Sequence, residues 1–363
     1  MDITQAIKEF PVLKQRLYAN TAASGILYDS LLEWRQEHDL DFLIGGSLMR
    51  AKSSGTLAEV RRTVGRFFEC KTENLALVPN FSIGLNILLE GLDKKHRILL
   101  LEDDYPSVNW PFETRNFPIS YLKVDAQLEE NINSKIESEG ITVLALSLVQ
   151  YISGIRVDLD FLKKLKENYP DLIIIADGTQ FCGTVDFDFE ASGIDVLGAS
   201  AYKWLLSGYG NGFMLFNDGV MEKLKVKAIG YNAVDTMASK MTDTRFSRHF
   251  EPGHLDTLNF GSLKFSLEFL ESIGMDKIEA QHQKLSEMAK REFTALGLLD
   301  NAVVERKEHS TIFNIKGDDA LFQKFSDHNM VVSQRGNGIR LSFHFYNTTA
   351  EIDRIVGILK KSI

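Results

Sequence analysis

The sequence is poor in the features that mark disulfide-stapled, metal-clustered or nucleic-acid-binding chains. Only two cysteines occur in 363 residues, Cys70 and Cys182. That is too few for a disulfide framework or a zinc knuckle, and each is expected to be a small buried hydrophobe. Positive charge is in deficit: 41 Lys and Arg against 50 Asp and Glu give a formal charge of −9, which argues against a nucleic-acid footprint or a polybasic membrane patch. Long apolar runs are also missing. The stretch around Ile141–Val149 is too short to span a bilayer, and Met1-Asp2-Ile3-Thr4-Gln5 lacks the basic start and apolar core of a signal peptide. No metal site, nucleic-acid partner or membrane partner is expected, and the chain is read as cytoplasmic. Gly and Pro are scattered, no repeat or low-complexity segment is visible, and the composition, 44% hydrophobic and 25% charged, is that of an ordinary globular protein.

What the sequence does have is alternation. Short apolar runs at Leu75–Val78, Ile98–Leu101, Val143–Leu146, Leu172–Ala176 and Phe213–Phe216 each end in polar or Gly residues and read as buried strands. Helical stretches lie between them: 159–168 carries Leu162 and Leu165 three apart, and a helix starting near Ser82 carries Ile83, Ile87 and Leu88 on one side. Strand alternating with helix predicts an α/β fold with a mostly parallel sheet between helices. The last hundred residues change pattern. Two long helices (263–270 and 277–296) precede a strand at 310–315, a helix at 319–327, an edge strand at 331–334 and a strand at 339–345. In that final strand Ile339, Leu341, Phe343 and Phe345 share one face and Arg340, Ser342 and His344 the other. Thr348 and Glu351 form a capping box for a closing helix with Ile352, Ile355, Val356 and Leu359 in a stripe. Two domains are therefore expected: a large one over 15–245 and a smaller C-terminal α+β unit over 246–363, joined by the N-terminal segment 1–14.

Ile173-Ile174-Ile175-Ala176-Asp177 puts a carboxylate directly after a buried strand, where ligands of open α/β sheets bind. Gln180 follows three residues later, and farther on comes Ser200-Ala201-Tyr202-Lys203-Trp204. Singly, such an Asp is often a helix cap and such a Lys usually a snorkelling surface residue. Together they suit a pyridine cofactor: the carboxylate keeps the ring nitrogen protonated, making the ring an electron sink, and the lysine amine forms an imine with the aldehyde. Flanking aromatic residues would desolvate that amine and lower its pKa. No Gly-x-Gly-x-x-Gly turn follows Leu75–Val78, which argues against a Rossmann-type nucleotide binder.

With these residues in place the sequence, from about Tyr18 to the C-terminus, resembles the aminotransferase class V group of fold type I enzymes dependent on pyridoxal 5'-phosphate (PLP), a group that includes cysteine desulfurases, kynureninases and an epimerase branch. Asp177-Gly178-Thr179-Gln180 resembles its Asp-x-x-Gln motif, implying Asp177 at the pyridine nitrogen and Gln180 at the ring hydroxyl. Ser200-Ala201-Tyr202-Lys203 resembles its Ser-x-His-Lys motif, implying Lys203 as the Schiff-base lysine and Ser200 on the phosphate, with Tyr202 in place of the usual His. Pro79-Asn80-Phe81-Ser82 opens a helix whose N-terminus would hold the cofactor phosphate through Phe81 and Ser82. Tyr105 matches the residue that stacks on the pyridine ring. Gln150 and Tyr151 stand where many relatives have a substrate-contacting Asn. Arg340, followed by Tyr346-Asn347-Thr348, resembles the arginine that grips the substrate α-carboxylate bidentately. His254, in Glu251-Pro252-Gly253-His254, stands where relatives reach the neighbouring subunit's phosphate, and the resemblance implies a homodimer.

The activity expected first is that of an aminotransferase acting on an amino acid or related amine. A PLP-dependent lyase or epimerase is the alternative, and a catalytically idle PLP-binding protein a remote one. Cysteine desulfurase is disfavoured, because Cys70 precedes the phosphate turn, Cys182 follows Gln180, and Phe345 stands where one desulfurase branch carries its cysteine.

Overall fold

The structure, a computed structural model, describes residues 1–233 and 245–362. The chain begins with helix α1 (Ile3–Ile7), strand β1 (Leu17–Tyr18) and two long helices, α2 (Asp29–Gly45) and α3 (Met49–Phe67). The large sheet then forms from β2 (Leu75–Val78), β3 (Ile98–Leu101), β4 (Ile119–Leu122), β5 (Val143–Ser147), β6 (Ile173–Asp177), β7 (Val196–Ser200) and β8 (Gly212–Phe216). Between its strands run α4 (Phe81–Glu90), α5 (Pro106–Glu113), α6 (Leu128–Glu139) and α7 (Leu159–Asn168), and α8 (Asp218–Lys223) follows the last.

The seven strands lie in the order β2-β8-β7-β6-β5-β3-β4. All run parallel except β8, which is antiparallel to both β2 and β7. Alternation divides each strand between two cores. In β5, Val143 and Ala145 pack into one cluster while Leu144 and Leu146 pack into the other, which is why the run is apolar throughout. Two strands escape a search for apolar runs. The edge strand β4 is half exposed, and β7 contains Gly198, where a Cβ would meet Met214 Sδ at 2.4 Å and Phe81 Cδ2 at 2.8 Å.

After the large sheet come α9 (Thr257–Ile273) and α10 (Met275–Ala295). Helix α9 packs against α2 and α3, whereas α10 packs against the smaller unit. That unit contains α11 (Asn301–Glu305), β9 (Ile312–Lys316), α12 (Asp319–Asp327), β10 (Met330–Val331), β11 (Ser333–Arg335), β12 (Gly338–Ser342) and α13 (Thr349–Leu359). The single edge strand expected at 331–334 is split: β10 pairs in parallel with β1, and β11 pairs antiparallel with β12. Strand β12 ends at Ser342, short of the expected Phe345, although Phe343 and Phe345 remain fully buried. The capping box of Thr348 and Glu351 is present.

Two close contacts lock the domains together. Asn20, just after β1, bridges to Ser342, so the N-terminal segment is stitched to the far end of the chain. Gly154 sits at φ +78°, and a Cβ there would lie 1.9 Å from Ile312 O, so only glycine fits this seam.

Candidate active site

Because the strands other than β8 run parallel, the residues that follow β2, β3, β5, β6 and β7 gather at one edge of the sheet, and the residues preceding antiparallel β8 join them. There they surround a cavity of about 240 Å³. Of the residues expected from sequence, Phe81, Ser82, Tyr105, Tyr151, Asp177, Gln180, Ser200, Tyr202 and Lys203 all line it.

Lys203 and Asp177 are both buried, 6% exposed each, and among the described residues neither has an ion-pair partner within bonding distance. Burial pulls the Lys203 amine down to about 8, with Asp177 opposing and Arg340 and Arg335 adding to the fall. Its Nζ stands 5.5 Å from the ring centroids of both Tyr105 and Tyr202. Burial likewise raises the Asp177 carboxyl, opposed by Thr179 and by the charge of Lys203. Asp177 Oδ1 accepts the Thr179 N–H at 2.8 Å. The backbone at Lys203 is pinned from the N-terminal segment: Gly25 N–H donates to Tyr202 O at 2.9 Å, and a Cβ on Gly25 would lie 2.1 Å from Lys203 O.

Asn80 starts α4 by accepting the Ile83 N–H at 2.9 Å. Ser200 Oγ accepts the Phe81 N–H at 2.9 Å, and the Ser200 N–H donates to Thr179 Oγ1 at 3.0 Å. The Ser200 hydroxyl proton is left to donate, and among the described residues the Ser82 N–H has no acceptor. A helix N-terminus with a free amide and a free hydroxyl suits a phosphate.

Gln180 is held at both ends: Nε2 donates to Ala22 O at 2.9 Å and Oε1 accepts the Trp204 indole N–H at 2.7 Å. Its amide orientation is thereby fixed, and what remains for the cavity is the second N–H, a donor. Trp204 is held in turn by His344, whose Nε2 lies 2.9 Å from Trp204 O and whose Nδ1 lies 2.8 Å from His282 Nε2. Burial lowers the pKa of both histidines. In the neutral pair, His344 must carry its proton on Nε2 to bond the carbonyl, so His282 donates to Nδ1.

The small domain supplies none of the residues that line the cavity, and its Arg340 meets the lining through Tyr151. Arg340 is 2% exposed, donates through Nη1 to Tyr151 O at 2.7 Å, and leaves Nε without a partner. Among the described residues it has no carboxylate partner, and burial lowers its pKa to about 10, with Arg335 adding to the effect. Three expected residues are not among those that line the cavity. One is Arg340, which stands behind Tyr151, and the others are Gln150 and His254. Gln150 is spent on its own turn, its Oε1 accepting the Ile152 and Ser153 N–H groups at 2.7 and 2.6 Å. His254 is exposed and lies against Tyr231, with ring centroids 5.5 Å apart.

Sequence reasoning passed over Thr179, Ser147 and Tyr209, which also line the cavity, and Asp104. The buried Asp104 accepts the Tyr105 N–H at 2.7 Å and the Ser147 N–H at 2.8 Å. The signal that could have found Asp104 is its place at the end of a strand, the same signal that pointed to Asp177. Tyr209 stacks on Tyr202, centroids 4.4 Å apart, a contact with no signature in sequence spacing.

The residues present fit PLP: a buried amine and a buried carboxylate without ion-pair partners for the aldehyde and the ring nitrogen, a helix N-terminus for the phosphate, and behind Tyr151 a guanidinium without a carboxylate partner for a substrate anion. Comparison with known proteins agrees. The family model for aminotransferase class-V matches residues 45–328. A probable cysteine desulfurase of Borreliella burgdorferi is 22% identical, the match covering 98% of this chain and 95% of that one. The apo cysteine desulfurase of Thermococcus onnurineus superposes with a TM-score of 0.85 at 19% identity, over 100% of this chain and 98% of that one. A cystine C–S lyase in complex with its reaction product, cysteine persulfide, superposes with a TM-score of 0.85 at 18% identity, over 96% and 98%. Likeness at this identity shows the shared fold.

Proposed function

Because the chain belongs to the aminotransferase class-V family, we propose that it uses its cofactor, PLP, to act on an α-amino acid, and that the reaction is a lyase-type cleavage. The observation that carries the first part is one cavity holding Lys203 and Asp177, buried and unpaired, close enough to Arg340 for its charge to act on Lys203. Cleavage is supported by the desulfurases and the C–S lyase among the similar chains. A desulfurase mechanism is disfavoured, because neither Cys70 nor Cys182 lines the cavity and both are buried. In this reading the leaving group departs without help from an enzyme thiol.

When bound, PLP supplies an electron sink for the pair released at the substrate Cα. Asp177 keeps the ring nitrogen protonated by placing a negative charge beside it. Tyr105 packs on the ring, and Ser82, Ser200 and Tyr202 take the phosphate. Arg340 holds the α-carboxylate, which turns the Cα–H bond toward Lys203. The Lys203 amine, its proton affinity lowered by burial, accepts that proton at Nζ and returns it later.

Transamination is the second reading, favoured by the family itself. A homodimer and a cytoplasmic location belong to the same proposal. The dimer is supported by the apolar end of α2 and the turn after it, where Leu43, Ile44 and Leu48 are 80%, 78% and 77% exposed. The test is a panel of amino acids with the PLP-loaded protein. Continuous release of the departing group with no 2-oxo acid added, leaving either alanine or a keto acid with ammonia, supports cleavage. Release of one keto acid per site that resumes only on adding a 2-oxo acid would establish transamination instead, and silence with every amino acid would reject both.

A further inference from the structure

In the hairpin of β11 and β12, Ser333 faces Arg340 and Arg335 faces Gly338. Since side chains alternate along a strand, Arg335 and Arg340 project from one face of the small sheet, a diagonal step apart, and Gly338 puts no side chain between them. The hairpin turn rests on the loop that carries Tyr151: a Cβ on Gly336 would meet Ile152 Cγ2 at 3.4 Å. Arg340 itself donates to Tyr151 O. Among the described residues neither guanidinium has a carboxylate partner, and Arg335 donates only to the carbonyl of Gln334, at 3.0 Å. Arg340 is buried and Arg335, nearer the hairpin turn, is exposed, so two cations without a carboxylate partner lie side by side from the buried end of the face to its solvent edge, an arrangement that suits an anion.

The cavity points the same way. Tyr105, Tyr151, Tyr202 and Tyr209 all line it, and among the described residues none of their hydroxyls has a hydrogen-bond partner. By contrast, of the six tyrosines elsewhere in the fold, Tyr18, Tyr28, Tyr121, Tyr169 and Tyr346 are bonded and only the exposed Tyr231 is not, among the described residues. Asp177 is the one carboxylate among the residues lining the cavity, and it is committed to the ring. Asp104 is spent on the Tyr105 and Ser147 amides. The lining carries four tyrosine hydroxyls and one carboxylate, and an α-carboxylate held by Arg340 leaves the exposed Arg335 guanidinium beside it for a second anion.

We propose that the substrate is an α-amino acid whose side chain ends in an acid group, a carboxylate or a sulfinate, bound by Arg335 with the Tyr151 hydroxyl while Arg340 holds the α-carboxylate. This rests on the reading of the cavity as an amino-acid site. The test is equilibrium titration of the PLP-loaded protein, read by the cofactor's absorbance, with L-aspartate, L-glutamate and L-cysteine sulfinate against L-alanine and L-norvaline. At least one acidic amino acid should bind roughly tenfold or more tighter than the neutral ones, the gain of a charge-assisted contact. Arg335→Gln should collapse that preference to a ratio near one, and Arg335→Lys should keep part of it. Equal affinity for acidic and neutral amino acids would overturn the proposal while leaving the amino-acid site intact. So would an Arg335→Gln variant that weakens both classes alike, since Arg335 would then share the α-carboxylate. A spectrum that no amino acid perturbs would reject the site reading itself, and this proposal with it.

Discussion

On the large-domain side of the cavity the Phe81 amide is taken by Ser200, the Ser200 amide by Thr179, one oxygen of Asp177 by the Thr179 amide, and Gln180 by Ala22 and Trp204. On the small-domain side, behind Tyr151, Arg340 is buried with Nε unpartnered, and Asn314, opposite it on β9, is half-buried with its shielded Oδ1 unpartnered. The first wall is a scaffold that holds its shape without ligand, as an orienting shell must. The second carries a charge that the fold alone does not compensate, so a ligand completes it. Cofactor groups dock on finished structure, whereas the substrate finishes the structure.

The comparison can be tested by substitution. The largest effect expected is that of Lys203→Ala, which should lower turnover by about 10²–10⁴-fold. Borohydride should no longer fix PLP to the protein, although free PLP should still bind, because no bond of the scaffold runs through the amine. Labelling of another lysine in the unaltered protein would show the site to be misassigned. Asp177→Asn keeps shape but loses charge, and turnover should fall by about 10²-fold or more with PLP still held. Near-normal rates would mean that another group protonates the ring.

Arg340 separates the two walls most directly. Arg340→Met should weaken amino-acid binding by roughly tenfold or more, yet stabilise the PLP-free protein by about 1 kcal/mol or more, since it removes an unpaired buried charge. A lower melting temperature for that variant would erase the distinction between the walls. On the scaffold side Ser200→Ala should act in the opposite sense, leaving the Phe81 amide unpaired at a cost of about 1–3 kcal/mol in a denaturant titration of PLP-free protein.

The smallest effect concerns pH. The neutral amine is the form that reacts with the PLP aldehyde, and burial lowers the Lys203 pKa to about 8. Covalent uptake of PLP, followed by stopped-flow absorbance, should therefore accelerate as pH rises and level off above about 8. An ordinary lysine would still be gaining at about 10.4.

Much of the scaffold wall was legible in the sequence because it depends on position. Strand-end residues such as Asp177, and helix-start residues such as Phe81 and Ser82, inherit their location from a repeated apolar run. The small-domain wall was less legible, because its contacts depend on side-chain commitments. Gln150 lies at a strand-end loop as expected, but the two amides after it claim its carboxamide. His254 follows a loop whose course the apolar pattern does not set. The domain break expected at 245/246 adjoins residues 234–244, which lie outside the described ones, and α9 keeps to the large layer because its apolar face is covered by α2 and α3. Arg335 carries no sequence signal of its own: it is an exposed charge, and only strand register sets it diagonal to Arg340.

The stitching of β1 to β10, and of Asn20 to Ser342, has a temporal side. Leu17 pairs with Met330, so this segment waits for more than three hundred further residues to be made before its partner exists. The parallel sheet can assemble from neighbours close in sequence, but the pinning of the Lys203 backbone by Gly25 gains its support only when the last strands arrive. Synthesis halted before residue 330 should thus yield a chain whose segment 17–25 is cut by a protease, and protection of that segment should appear only once β12 has been made.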